Sequence, residues 1–320
     1  MSTVITVSLG AYSLPYAGPC IRSLAENLKG DDPIHLLTDT PDDVVQMQKA
    51  FAGIDRIKIH LADELWEDPA NPMRKYPGLE RLRAEGHPCW RKLTDPMLLA
   101  KDGDEVVVVD PDVYFPRPFS FEPVGDGTLR LMWQKPNCLL PASVVEKAFA
   151  QGIAMADHVD IGVAQYRSPL DLQWFDELVE KILDGDMPRM MHVEAILWSC
   201  FAMRMGGGYL DSEHYQCWHN SSWKRIRLKT GATHVQMLNG EDFRSSLAFH
   251  GGGTAKKWLA KPGGEDVVKQ RSKLPGGKPL GAAKLRPFVP FTQAKFDWLK
   301  KRGRILDKLG FYKLMGGKPL

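Results

Sequence analysis

The amino-acid sequence predicts an α/β fold built around a parallel sheet, and three observations carry that prediction. Strand-like and helix-like segments alternate over the first sixty residues, the pattern of successive βαβ units. Four consecutive valines, Val106 to Val109, follow an acidic, glycine-containing turn at 101–104. An unbroken β-branched run of that kind is a strand buried on both faces, as parallel strands are. The chain has 320 residues, 43% hydrophobic and 25% charged, which suits one large or two smaller globular domains with ample core.

Val4 to Leu9 forms the first strand, and Tyr16 to Leu28 carries helical spacing through Ile21, Leu24 and Leu28. Ile34 to Leu37 is the second strand. Thr40 then supplies an N-cap oxygen and Pro41 a first helical residue for a helix through Val44 to Phe51. Ile57 to Ile59 is the third strand. From Leu61 to Pro88 the chain is polar and broken by Pro69, Pro72, Pro77, Gly78 and Gly86, so it reads as a long excursion with the character of a lid. Trp90 to Ala100 is helical with a restart at Pro96. Thr128 to Met132 and Val159 to Tyr166 are later strands, and Leu170 to Leu183 and Val193 to Met203 are helices. Lys261 to Leu285 is rich in Lys, Gly and Pro and reads as a loop or linker. Phe291 to Lys313 returns to helical spacing at Trp298, Ile305, Leu309 and Tyr312, with breaks expected at Gly303 and Gly310.

Five scattered cysteines with no CxxC pair point to reduced thiols and a cytoplasmic setting. The N-terminus lacks the charged and apolar regions of a signal peptide, and no window has the eighteen apolar residues of a bilayer span. The net charge of +3 hides a division: residues 255–320 hold 17 basic and 4 acidic side chains, a balance of +13, and the remainder carries −10. A basic tail of this kind suits an anionic partner or a solvated face; no nucleic-acid motif accompanies it, so nucleic acid is not expected.

Chemistry concentrates where the valine strand ends. Asp110-Pro111-Asp112 places two carboxylates at its C-terminal end, where open α/β sheets bind ligands. Read alone, the pattern suits either a strand-ending turn or a hard divalent cation. Downstream, His250 precedes Gly251, Gly252 and Gly253, then Lys256 and Lys257. Glycines there let backbone approach phosphate oxygens, and lysine adds positive charge. His214 to Arg225 mixes aromatic and polar side chains, composing either a sugar-binding surface or an aromatic loop packed on the core.

These segments together resemble a nucleotide-sugar glycosyltransferase of the GT-A fold, closest to the retaining glycosyltransferase family 8. The matches fall in order: the opening strand Val4 to Tyr12 with the helix around Ile21 to Asn27, then Trp90-Arg91-Lys92-Leu93, then Asp110-Pro111-Asp112. Asp160-Ile161-Gly162-Val163 stands at the family's Asn-x-Gly-Val segment, and His250 to Lys256 fits HxxGxxK, with Trp258 following. The resemblance spans 1–258 as a GT-A domain with a Rossmann-like mixed sheet, and leaves 259–320 as a basic linker and amphipathic tail.

The resemblance implies a metal-dependent enzyme transferring a hexose from a UDP-sugar to a glycan or lipid-linked acceptor with retention. Manganese, or magnesium, would be held by Asp110, Asp112 and His250; the mixed carboxylate and imidazole set favours manganese. Gly253 and Lys256 are implied at the donor diphosphate, Arg91 at the diphosphate or the sugar, Asp160 at the donor sugar's hydroxyls and Glu194 at the anomeric centre. Two departures stand out: Asp160 where the family has Asn, and Glu194 near the family's Asp-Gln-Asp run. The implied location is the cytoplasm, with the tail on the anionic inner membrane face. A nucleotidyltransferase and a non-catalytic carbohydrate- or membrane-binding relative are the alternative readings.

Overall fold

The computed structural model describes residues 2–183, 187–279 and 285–315. The first half follows the βαβ pattern. Strand β1 (Thr3–Ser8), helix α1 (Leu14–Asn27), β2 (Ile34–Thr38), α2 (Pro41–Ala50) and β3 (Ile57–Leu61) succeed one another. The Thr40 hydroxyl accepts a hydrogen bond from the Asp43 amide at 3.1 Å, and Pro41 opens the helix, as the sequence requires.

The lid expectation for the next stretch is corrected. Residues 62–88 fold into α3 (Ala62–Trp66), a 3-10 turn at Pro72–Lys75 and α4 (Pro77–Glu85). Pro72 and Pro77 each stand in the first turn of these elements, where a missing N–H costs nothing, so they start helices and do not break them. Trp66, Met73, Leu79 and Leu82 are buried in the main core. The segment 88–98 is also tighter than expected: two 3-10 turns, Pro88–Leu93 and Asp95–Leu98, with Pro96 in the second.

Strand β4 (Glu105–Val109) is buried at every position. Val106 and Val108 enter one core and Val107 and Val109 the other, so the valine run is covered on both faces. Then come β5 (Val113–Tyr114), β6 (Leu129–Trp133), α5 (Ala142–Ala150), β7 (Val159–Arg167), α6 (Leu172–Leu183), α7 (Val193–Met205), β8 (Gly207–Tyr209) and β9 (Tyr215–Cys217). The chain continues through α8 (Ser222–Lys229), α9 (His234–Leu238), β10 (Ala248–His250), α10 (Gly264–Ser272), α11 (Gln293–Lys308) and α12 (Phe311–Met315).

Seven strands form the main sheet in the order β3-β2-β1-β4-β7-β6-β8. The half from β3 to β4 is parallel, but β7 runs antiparallel to both β4 and β6. The sheet is therefore mixed. A second sheet, β5-β10-β9, joins very short strands distant in sequence.

Beyond Trp258 packing continues, which corrects part of the linker reading of 261–285: residues 264–272 form α10, and 280–284 lie outside the described residues. Leu259 and Val268 share a core with Trp218, Phe249 and Trp258. Phe291 and Phe296 are buried in the main core beside Phe149. Helix α11 runs through Gly303 without a break. The turn comes at Gly310, whose φ of 69° suits glycine.

Candidate metal centre and donor cleft

The small sheet assembles the site. Asp110 and Asp112 flank the turn between β4 and β5. β10 pairs antiparallel with β5, setting His250 opposite Val113, and β9 pairs parallel with β10, setting Cys217 opposite His250. The Gly251 amide donates to the Asp112 carbonyl at 2.9 Å, which ties the two loops. His250 Nε2 therefore lies 3.2 Å from Asp112 Oδ1 and 3.7 Å from Asp110 Oδ2. A donor atom from each of the three lies within 4.8 Å of the others. Two carboxylates and an imidazole at this spacing form a donor set that suits a divalent cation.

The far nitrogen of His250 is equally constrained. Nδ1 lies 2.8 Å from Asp160 Oδ1, which also accepts from the Gly162 amide at 2.8 Å. Asp160 Oδ2 accepts from the Cys217 thiol at 2.8 Å. Burial works against charge on His250, but Asp160 and Asp112 hold its imidazole well above the ordinary histidine value.

Lys92 belongs to this site, and sequence reasoning passed over it in favour of its neighbour. In the 3-10 turn Pro88–Leu93, Trp90 and Leu93 point into the core, one turn apart. Lys92 is only 6% exposed, with Nζ 2.5 Å from Asp110 Oδ1 and 2.9 Å from Glu194 Oε2. Burial opposes its charge, yet the two carboxylates hold the ammonium well above lysine's usual value. Burial in turn pushes Glu194 up to about 8 against the pull of Lys92.

Arg91 points the other way, 2.5 Å from Asp39 Oδ1 and 3.4 Å from Asp63 Oδ1. It lines a cleft with Tyr12, Lys92, Asp110, Asp112 and Lys256. Lys256 Nζ sits 4.8 Å above the Tyr16 ring. Tyr12, 83% exposed at this cleft, is a second residue that sequence reasoning missed; a lone tyrosine after Gly10-Ala11 gives no signal until the cleft forms around it. Gly253 takes φ 65°, a left-handed conformation that glycine adopts freely.

Asp160 and Glu194 are both buried, the former behind His250 and the latter behind Lys92. In the aromatic segment, Trp218 is a core residue set edge-on to Trp258 at 4.7 Å, whereas Trp223 is exposed.

No protein-family model matches the sequence, and no curated protein matches it. Several solved structures align with the chain. Mouse xyloside xylosyltransferase 1 aligns at 10% identity over 79% of this chain and 99% of its own, with a TM-score of 0.49. The galactosyltransferase LgtC, in complex with donor and acceptor sugar analogs, aligns at 14% identity over 86% of this chain and 98% of its own, with a TM-score of 0.45. The bifunctional glycosyltransferase WbbM aligns at 12% identity over 86% of this chain with a TM-score of 0.50, and the match takes in 50% of WbbM's length. The architecture of this chain, a mixed seven-stranded sheet flanked by helices, is the GT-A fold.

Proposed function

We propose that the protein is a metal-dependent glycosyltransferase that takes a hexose from a UDP-sugar and passes it, with retention, to a glycan or lipid-linked acceptor. The observation that carries this reading is the convergence of Asp110, Asp112 and His250 at the carboxyl end of β4, beside a cleft with Arg91, Lys92 and Lys256. Asp110, Asp112 and His250 would hold a manganese or magnesium ion, which when bound supplies Lewis-acid stabilisation of a diphosphate leaving group.

The chain's own cations serve the same charge. Lys256 stands at the cleft and adds positive charge where the leaving group's negative charge develops, and Lys92 offsets the Asp110 carboxylate beside it. Glu194 holds the Lys92 ammonium from behind at 2.9 Å, and Asp110 holds it from the other side. Arg91, held by Asp39 and Asp63, presents a fork-shaped donor to phosphate or ribose oxygens. Gly253 shapes the loop between His250 and Lys256. Tyr12 offers an aromatic face to the nucleobase.

In the basic tail, α11, α12 and the turn between them expose Trp298, Ile305, Leu309 and Leu314 among lysines and arginines. That surface fits an anionic membrane face from which a lipid-linked acceptor would be reached, on the cytoplasmic side. Among the described residues no helix is long and apolar enough to cross a membrane.

The test is release of UDP from a panel of UDP-sugars with manganese, with and without candidate acceptors. Metal-dependent release is expected, and Asp112→Ala and His250→Ala should each abolish metal-dependent nucleotide binding by calorimetry. No release across the panel, or unchanged binding in both variants, overturns the reading. The product anomer, read by NMR, decides retention.

A further inference from the structure

We propose that Asp160 is a positioning residue whose carboxylate sets the ring and the proton of His250, so that Nε2 is the nitrogen offered to a divalent cation. The inference rests on the metal reading of Asp110, Asp112 and His250, and it gives Asp160 a task other than contact with the donor sugar. Three constraints meet on the imidazole. Asp160 Oδ1 lies 2.8 Å from Nδ1, in position to accept its proton. A Cβ on Gly162 would come within 2.7 Å of Nδ1, so the ring packs close against this position and only a glycine leaves it room. Nε2 is thereby aimed at Asp112 and Asp110, 3.2 and 3.7 Å away.

Asp160 is itself fixed. The Gly162 amide donates to Oδ1 and the Cys217 thiol to Oδ2, both at 2.8 Å, and the residue is 3% exposed. With all these donors pointing inward, its oxygens have little left to give a substrate. The fold brings the parts together from three places: Asp160 and Gly162 on β7, Cys217 on β9 and His250 on β10. A metal-bound imidazole whose other N–H is held by a carboxylate has a fixed tautomer and a more basic ligating nitrogen. Loss of such a partner lowers metal affinity by roughly 10 to 100-fold.

The experiment is manganese binding to the full chain by calorimetry, paired with pulsed electron paramagnetic resonance, which detects coupling between bound manganese and a directly ligating nitrogen. The proteins are wild type, Asp160→Asn and Asp160→Ala, with His250→Ala as the reference for lost nitrogen coupling. Wild type should bind and show the coupling. Asp160→Asn is nearly isosteric and keeps one oxygen acceptor, so it should weaken binding by about 10-fold and retain the coupling. Asp160→Ala should weaken binding further and lose or diminish the coupling. Should the alanine variant fail to fold, the asparagine variant decides by its affinity alone. Wild-type binding with equal affinity and unchanged coupling in both variants overturns the positioning role and leaves the metal site standing. Absence of manganese binding in wild type overturns the metal reading and this inference with it.

Discussion

At Lys92, a single ammonium stands between Asp110 and Glu194 in an environment that would ordinarily reject all three charges. The grouping holds because each charge compensates another; removing one partner leaves the others buried and unpaired, at a cost of about 3–5 kcal/mol. Lys92→Met should therefore lower unfolding free energy by about 3 kcal/mol in urea titration. The double variant Lys92→Met/Glu194→Leu should recover part of that loss, and no recovery would show that the pair is not coupled. A second residue-scale prediction concerns His35 on β2, whose Nδ1 lies 2.9 Å from His60 Nε2 on β3. Burial, with His60 beside it, lowers His35 from 6.5 to about 4. A base with a depressed folded pKa favours its neutral form when folded. Its contribution is complete above pH 6.5 and is lost as pH falls toward 4. The thermal midpoint should fall across that window, and His35→Gln should fall less. An identical pH profile for the variant would refute this.

Among the elements, α11 shows how a basic segment is secured to an acidic body. Phe296 is buried beside Phe149 and Phe291, Lys295 pairs with the buried Asp157, and Lys300 pairs with Glu146 on α5. Much of the holding force is apolar, since exposed ion pairs contribute little and buried rings contribute more. Phe296→Ala should cost about 3–5 kcal/mol and Lys300→Ala less than about 1 kcal/mol, by denaturant titration. A larger cost for the lysine change than for the phenylalanine change would mean that ion pairing, not ring burial, secures α11. Helix α2 has a simpler dependence. The Thr40 hydroxyl satisfies the Asp43 amide at its start, so Thr40→Ala should cost about 1 kcal/mol in the same measurement.

Across the whole molecule, charge and exposed apolar surface gather at one end of the chain. Residues 255–320 carry a balance of +13, and Leu309 is 75% exposed, with Trp298 and Ile305 also exposed on α11. Helix α12 folds back toward α8, where Lys229 donates to the Leu314 carbonyl and Trp223 is exposed. Truncation after Phe296 should reduce sedimentation with anionic vesicles and leave zwitterionic vesicles unaffected. Raising salt from roughly 0.05 M to roughly 0.5 M should weaken binding of the full chain, because screening shortens the reach of its charges. Salt-insensitive binding, or equal binding after truncation, would remove the electrostatic role.

The sequence by itself determined the run from β1 to β3, because each strand and helix there lies next to its partner in the chain and the periodicity is strong. It also determined that two carboxylates follow the valine strand, since strand burial and turn chemistry are both local. What only the tertiary structure decided is how those carboxylates are completed. Strands β5, β9 and β10 are two or three residues each, too short for any periodicity, yet their pairing carries His250 and Cys217 to Asp112 across stretches of chain that no local window spans. The choice between Arg91 and Lys92 was hidden for the same reason. Adjacent cations are alike in sequence, and only a 3-10 turn anchored by Trp90 and Leu93 sends one inward to Asp110 and the other outward to Asp39. Local propensity writes the strands and helices; long-range pairing, which no short window records, builds the site.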